Sequence, residues 1–305
     1  MTSLIFSIRI IDRLDSLGVE SHPSDSRTRQ IIRAALPRQS NGSRIRFSAP
    51  HNKKSAIRAG QRRFAAAPIV VHQAGDETAA LQGDRPMTLS LYAHPFSSYC
   101  QKVLIALYEN ATPFEWRPLT PETPQSMREL AELWPMKRFP VIVDDGRPVI
   151  EATIIIEYLD LFHPGPVRLI PADPRAALDV RWMDRFFDNY LSTPQQKIVF
   201  DCMRAESERD PRGVADARAM LDTSYAYLDR LMSTREWAAG DAFSLADCAA
   251  APFLFYADWT HRIGDAYPNV IAYRKRLLAR PSFARAVEEA RPYRRLFPPG
   301  APDRD

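Results

Sequence analysis

Two neighbouring hydroxyls, Ser97 and Ser98, follow His94-Pro95-Phe96 and precede Tyr99 and Cys100. Before them runs a short apolar stretch, Leu89 to Ala93, of strand length. After them apolar residues recur at Tyr99, Val103, Ala106 and Leu107, the period of a helix face. The change of period predicts a strand–turn–helix unit over Met87 to Leu107, with Ser97 at the helix N-cap. A cap hydroxyl and the first unpaired N–H groups then face one point in space, which suits an anion. Ser98 is the rival hydroxyl by the same capping logic.

Other chemistries find little support. The cysteines, Cys100, Cys202 and Cys248, are three and widely spaced, so they form no disulfide framework and fit a reducing cytoplasm. Six scattered histidines and the absence of CxxC or HExxH argue against a metal. Eleven glycines without GxGxxG or a P-loop give no nucleotide motif. The spacing Ser97-Ser98-Tyr99-Cys100 places serine where a dithiol motif needs its first cysteine, so dithiol exchange is not available. Cys100, one turn into the helix, reads as a packing residue.

The chain has 305 residues, 45% of them hydrophobic, enough for about two domains, and no apolar run approaches a membrane span. Residues 1–86 carry 14 basic against 7 acidic side chains, while the remainder carries 27 against 30. The basic pI therefore belongs to the leader, and no nucleic-acid partner is expected. Residues 1–86 scatter Arg, Ser, Ala and Pro without lasting periodicity and read as a disordered basic leader. Its simplest origin is upstream sequence ahead of a natural start at Met87.

Residues 87–165 read as a first domain of order strand–helix–strand–helix–strand–strand–helix, a thioredoxin-like α/β arrangement. Phe114 to Leu119 reads as the second strand and Ser126 to Trp134 as a short helix. Arg138-Phe139-Pro140 leads into the strand Val141-Ile142-Val143. Asp144-Asp145-Gly146 is a hairpin turn, and Glu151-Ala152-Thr153 opens the last helix. Pro140 by itself reads as an ordinary strand-initiating proline. A cis bond before it would instead aim the Phe139 backbone at the start of the first helix.

Residues 174–295 read as all-helical. Trp182, Phe186, Tyr190 and Leu191 share one helical face, and Ala215 to Met232 forms a second long helix. Aromatics at such spacing are ordinarily core. Ser244 and Asp247 form a capping box ahead of an apolar run, and Pro268 and Pro281 sit at helix starts.

In order, the segments 94–103, 138–142 and 150–159 resemble the glutathione-binding half of a cytosolic glutathione S-transferase of the serine-type, bacterial-like kind. Gly240 to Asp247, and Tyr267 through Phe283, are similar to the motifs of its helical half; the likeness covers residues 87 to about 295. The resemblance implies that Ser97 is catalytic, its hydroxyl donating to the glutathione thiolate, with Ser98 beside it. It implies that Phe139 and a cis Pro140 pair with the cysteinyl part of glutathione and that Arg138 lies near the tripeptide. Glu151 and Ala152 match the acidic–serine pair that grips the γ-glutamyl end. The family's serine is alanine here, which leaves Thr153 as a replacement or glutathione binding weakened. Phe96, Phe186 and Tyr190 would wall the electrophile pocket.

The expected function is thus a cytoplasmic, homodimeric glutathione transferase acting on a hydrophobic small-molecule electrophile, as in detoxification. Glutathione would be the co-substrate, with no metal, nucleic acid or membrane. A glutathione-dependent isomerase or dehalogenase is the alternative enzyme, and a non-catalytic binding module the alternative of another class.

Overall fold

The computed structural model describes residues 89–305, so the expectation for the leader falls outside the described residues. β1 (Leu89–Ala93) is buried at every position because it lies inside a four-stranded sheet of order β2-β1-β3-β4. It pairs in parallel with β2 (Glu115–Pro118) and antiparallel with β3 (Val141–Asp144), which pairs antiparallel with β4 (Arg147–Ile150). The β3–β4 connection is the two residues Asp145 and Gly146, both at positive φ, as a tight hairpin with right-handed strand twist requires. Between the strands lie α1 (Ser98–Glu109) and α2 (Pro124–Leu133), and α3 (Ala152–Phe162) follows β4. This is the thioredoxin-like order expected from the sequence.

The second half is helical: α4 (Pro174–Phe186), α5 (Thr193–Cys202), α6 (Pro211–Met232), α7 (Leu245–Thr260), α8 (Pro268–Leu278) and α9 (Pro281–Ala290). All residues of α7 are buried, and α1, α4 and α8 pack around it. Its start is the expected capping box. The N–H and hydroxyl of Ser244 both donate to the buried Asp247 carboxylate, which also accepts from Ala238 N–H and Tyr273 hydroxyl. No described helix is long and apolar enough to cross a membrane.

The long helix expected through Trp182 and Leu191 departs from the α form. Residues Phe187–Ser192 wind as a π turn between α4 and α5, with the Thr193 N–H reaching back to the Asp188 carbonyl. The cause is in the sequence: Pro194 has no N–H to give, and its ring would crowd the carbonyl four residues earlier. That carbonyl, on Tyr190, instead accepts from the Ser224 hydroxyl of α6 at 2.9 Å. π turns of this kind concentrate at functional sites.

Candidate functional site

Ser97 caps α1: its backbone is extended and its Oγ accepts from Cys100 N–H at 3.5 Å. Its own N–H donates to the His94 carbonyl at 3.0 Å. The loop before it is held from several sides. The Phe96 N–H donates to His94 Nδ1 at 3.1 Å, and Gln101 Nε2 donates to the Pro95 carbonyl at 3.0 Å. From α7, the Tyr256 hydroxyl donates to the Phe96 carbonyl at 3.1 Å. Burial lowers the His94 pKa to about 4, partly opposed by Glu122, so the imidazole is neutral and remains an acceptor. Cys100 is fully buried, and burial pushes its thiol up to about 12 against the hydrogen bonds from Ser97 and the His94 backbone. It is inert, as a packing residue should be.

Two hollows meet at this helix start. The first, ≈ 20 Å³, is lined on one side by Phe96, Ser97, Ser98, Tyr99 and Phe139. Its other side comes from the helical half: Gln195, Gln196, Val199, Tyr256 and Phe297. The second, ≈ 140 Å³, is lined by Arg138, Phe139, Pro140, Glu151 and Ala152. Arg185, Asp188, Asn189 and Thr193 close it from α4 to α5. Tyr99 and Phe139 line both, and the Phe139–Pro140 bond is cis. Glu151 takes a positive φ of 71, a strained setting for a residue with a Cβ, so its placement is dictated by its surroundings.

Thr153 faces elsewhere. Its hydroxyl donates to Asp184 at 2.8 Å and accepts from Lys102 at 2.9 Å and Arg185 at 2.8 Å. These groups form an electroneutral knot of two cations and two carboxylates, in which Arg185 also bonds Asp188. Burial works against the charge on Lys102, but Asp188 and Asp184 outweigh it and keep the ammonium protonated. The Thr153 hydroxyl is therefore committed to this knot and does not stand in for the hydroxyl absent at Ala152.

Phe186 and Tyr190 are not brought to Ser97. With Trp182, Met220 and Tyr227 they line a separate groove of ≈ 530 Å³ between α4, the π turn and α6. Phe186 is buried there while Tyr190 is half-exposed, and their rings stay in contact with centroids 5.7 Å apart, so the aromatic stripe as a whole faces α6 rather than the α1 start. The side chains that reach the first hollow from the helical half, Gln195, Gln196, Tyr256 and Phe297, were not anticipated. Nor were Arg185 and Asp188. A signal for the latter existed: Asp184 and Asp188 are like charges four apart on one helix, unfavourable unless a cation sits between them. Among the described residues, no group of three His, Cys, Asp or Glu side chains could hold a metal ion.

Residues 91–167 match the family model for the glutathione S-transferase N-terminal domain, and residues 194–281 the one for the C-terminal domain. A crystal structure of a glutathione S-transferase from Methylobacterium radiotolerans, in complex with glutathione sulfonate, is 31% identical with a TM-score of 0.58. That match covers 66% of this chain and 94% of the other. A stringent starvation protein A homolog of Coxiella burnetii is 27% identical over 66% of this chain and 92% of its own length. A probable maleylacetoacetate isomerase 2 of Drosophila melanogaster is 25% identical over 66% and 88%. With both halves matched in order on the fold described above, the chain belongs to the glutathione S-transferase family.

Proposed function

We propose that the protein is a glutathione transferase of the serine type, using Ser97 to stabilise the glutathione thiolate. The observation that carries this reading is the placement of Ser97. As N-cap it accepts the Cys100 N–H, keeps its own proton to donate, and lines the first hollow, which shares Tyr99 and Phe139 with the second. A free thiol with a pKa of about 8.5 is only about 3% thiolate at neutral pH. Lowering it by ~2 units requires about 2.7 kcal/mol of preference for the anion. A hydroxyl donating to a charged group supplies roughly 1.5–3 kcal/mol. The start of α1 adds roughly 0.3–1 kcal/mol more. No general base is needed.

Glutathione occupies the second hollow in this reading. The Phe139 backbone pairs with the cysteinyl unit, Arg138 lies along the tripeptide, and Glu151 takes the γ-glutamyl ammonium. Arg185, half-exposed on the hollow's far wall, is available to the γ-glutamyl carboxylate in place of the hydroxyl missing at Ala152. Ser98 lies beside Ser97 as a second hydroxyl. The electrophile meets the sulfur at the mouth of the first hollow, walled by Phe96 with Tyr256 and Phe297, while Phe186 and Tyr190 lie in the other groove. A glutathione-dependent isomerase is the second reading, favoured by the isomerase name of the Drosophila relative. The partner is a second copy of the chain, for which the exposed apolar residues of α3, α4 and α6 are available. The cytoplasm is the compartment that suits unpaired cysteines.

The test is calorimetric titration of the full chain and of Ser97→Ala with glutathione, reading thiolate absorbance in the ultraviolet. Binding with a thiolate signal that disappears in the variant is the expected result. A variant with undiminished thiolate absorbance would remove Ser97 from the role.

A further inference from the structure

Gln195 and Gln196 both line the first hollow, each only 7% exposed, and neither has a part in the thiolate chemistry of Ser97. By sequence Gln195 has a structural duty. Ser192-Thr193-Pro194-Gln195 is the pattern of a capping box, in which the glutamine reaches back to the backbone N–H of the serine. The fold makes no such box. α5 is entered from the π turn, so Ser192 keeps helical backbone angles and makes no side-chain cap bond. Its hydroxyl donates instead to the Tyr99 oxygen at 3.2 Å and accepts from Gln196 Nε2 at 2.7 Å. Gln196 is pinned by that bond, and its Oε1 is sealed in the wall without a partner.

Gln195 differs from its neighbour. Among the described residues none hydrogen-bonds its carboxamide, yet its polar atoms are not among those sealed from contact. The open space it borders is the first hollow. A carboxamide held nine-tenths buried with no protein partner costs stability, because burial strips its water and returns no bond. Folding does not account for it; a ligand group that bonds it would. The hollow narrows what that group is. Its ≈ 20 Å³ is room for about one group of water size. No charged side chain lines it, so neither an ammonium nor a carboxylate is answered there. A carboxamide offers N–H donors and an accepting oxygen, and a hydroxyl answers both with a single heavy atom. Phe96, Phe139 and Phe297 supply aromatic walls for a ring that carries it.

We infer, resting on the glutathione-transferase reading above, that Gln195 is a specificity residue of the first hollow, selecting aryl electrophiles that carry a hydroxyl group. An apolar isostere of such a substrate fits the space but leaves the carboxamide unpaired and dry, and a site of that kind rejects it strongly. An apolar side chain at the same position would discriminate little between the two.

The test measures dissociation constants of S-benzylglutathione conjugates on the full chain by calorimetry. The probes are the parent conjugate, its meta- and para-hydroxymethyl derivatives, and the matching ethyl derivatives, which have the same shape without the hydroxyl. At one ring position or both, the hydroxymethyl conjugate should bind roughly 5- to 50-fold more tightly than its ethyl isostere. In Gln195→Met, of similar length and without amide atoms, that preference falls to about 2-fold or less while the parent conjugate still binds. Replacing an unpaired buried carboxamide by an apolar side chain should leave the melting temperature unchanged or raised. Wild-type protein that binds both isosteres equally at both positions overturns the proposal without any variant. A preference undiminished in Gln195→Met overturns it too, and a sharp drop in that variant's melting temperature does so by giving Gln195 a structural duty. Wild-type protein that binds none of the conjugates would strike down the transferase reading itself, and this inference with it.

Discussion

The ammonium of Lys102 lies 2.5 Å from the carboxylate of Asp184, both fully buried, tying the first helix of the α/β half to the first helix of the helical half. Asp188 and the Thr153 hydroxyl complete the shell around the ammonium. The second hollow is closed by Arg185 and Asp188 of this knot, so the ion cluster also shapes the hollow's wall.

Removing the cation should therefore be costly. Lys102→Met leaves two buried carboxylates with only Arg185 to answer them and should lose about 3–5 kcal/mol in urea unfolding. Pairing it with Asp184→Leu should recover a large part, since the uncompensated charge rather than the lost bridge causes the damage. A loss under about 1 kcal/mol for Lys102→Met would contradict the account.

Ala152 offers a gain. It lines the second hollow at the start of α3, beside Glu151. Ala152→Ser adds a hydroxyl where Thr153 does not reach and should tighten glutathione binding by roughly 2- to 10-fold in calorimetry. Thr153→Val should act instead on stability, because it strips a hydrogen-bond partner from three charged groups. Equal effects on affinity from both changes would mean that Thr153 faces the ligand after all.

His94 makes stability depend on pH in a defined direction. In the unfolded chain it takes a proton near 6.5, whereas in the fold it stays neutral down to about 4. Between those values the unfolded state binds more protons, so stability rises with pH. The contribution is fully present above about 6.5 and lost as pH falls toward 4, amounting to about 3 kcal/mol over the window. Chemical unfolding across that range should show the slope, and His94→Asn should flatten it. A slope of undiminished size in the variant would assign it to another group.

Association can be tested at Trp182. Ile154 and Leu161 on α3, Leu178 and Trp182 on α4, and Met220 on α6 are large apolar side chains left exposed. The proposed dimer would cover them. The full chain should sediment as a dimer at micromolar concentration and Trp182→Glu as a monomer. A wild-type monomer, or a variant that still dimerises, would refute this surface.

Much of the α/β half could be read in advance because its signals are local. Strand and helix periods alternate cleanly from Leu89 to Leu159, and Asp145-Gly146 names its own turn. Ser97 was legible as a cap for the same reason. What the sequence did not reveal depends on contacts far apart in the chain. Lys102 looks like an ordinary helix cation until Asp184 and Asp188 arrive from some eighty residues away. Tyr256 and Phe297 reach the Ser97 hollow only through the packing of the buried α7. Phe186 and Tyr190 keep the stripe read from the sequence, but it faces α6 instead of the Ser97 hollow, a choice of packing partner that helical spacing does not encode. Pro194 signalled the break in the α form, and its outcome depended on Ser224 bonding the Tyr190 carbonyl.

The π turn also ties the site's fate to a single codon. Asp188 in the ion knot, Asn189 on the second hollow and Ser192, which donates to the Tyr99 hydroxyl, all belong to its six residues. A one-residue deletion there would shift everything that follows by one helical position, a rotation of roughly 100°. The charge cluster and the far wall of the second hollow would be lost in one inherited event. Both hollows would then lose lining residues together, because Gln195, Gln196 and Val199 of the first follow the same segment that supplies Asp188 and Asn189 to the second.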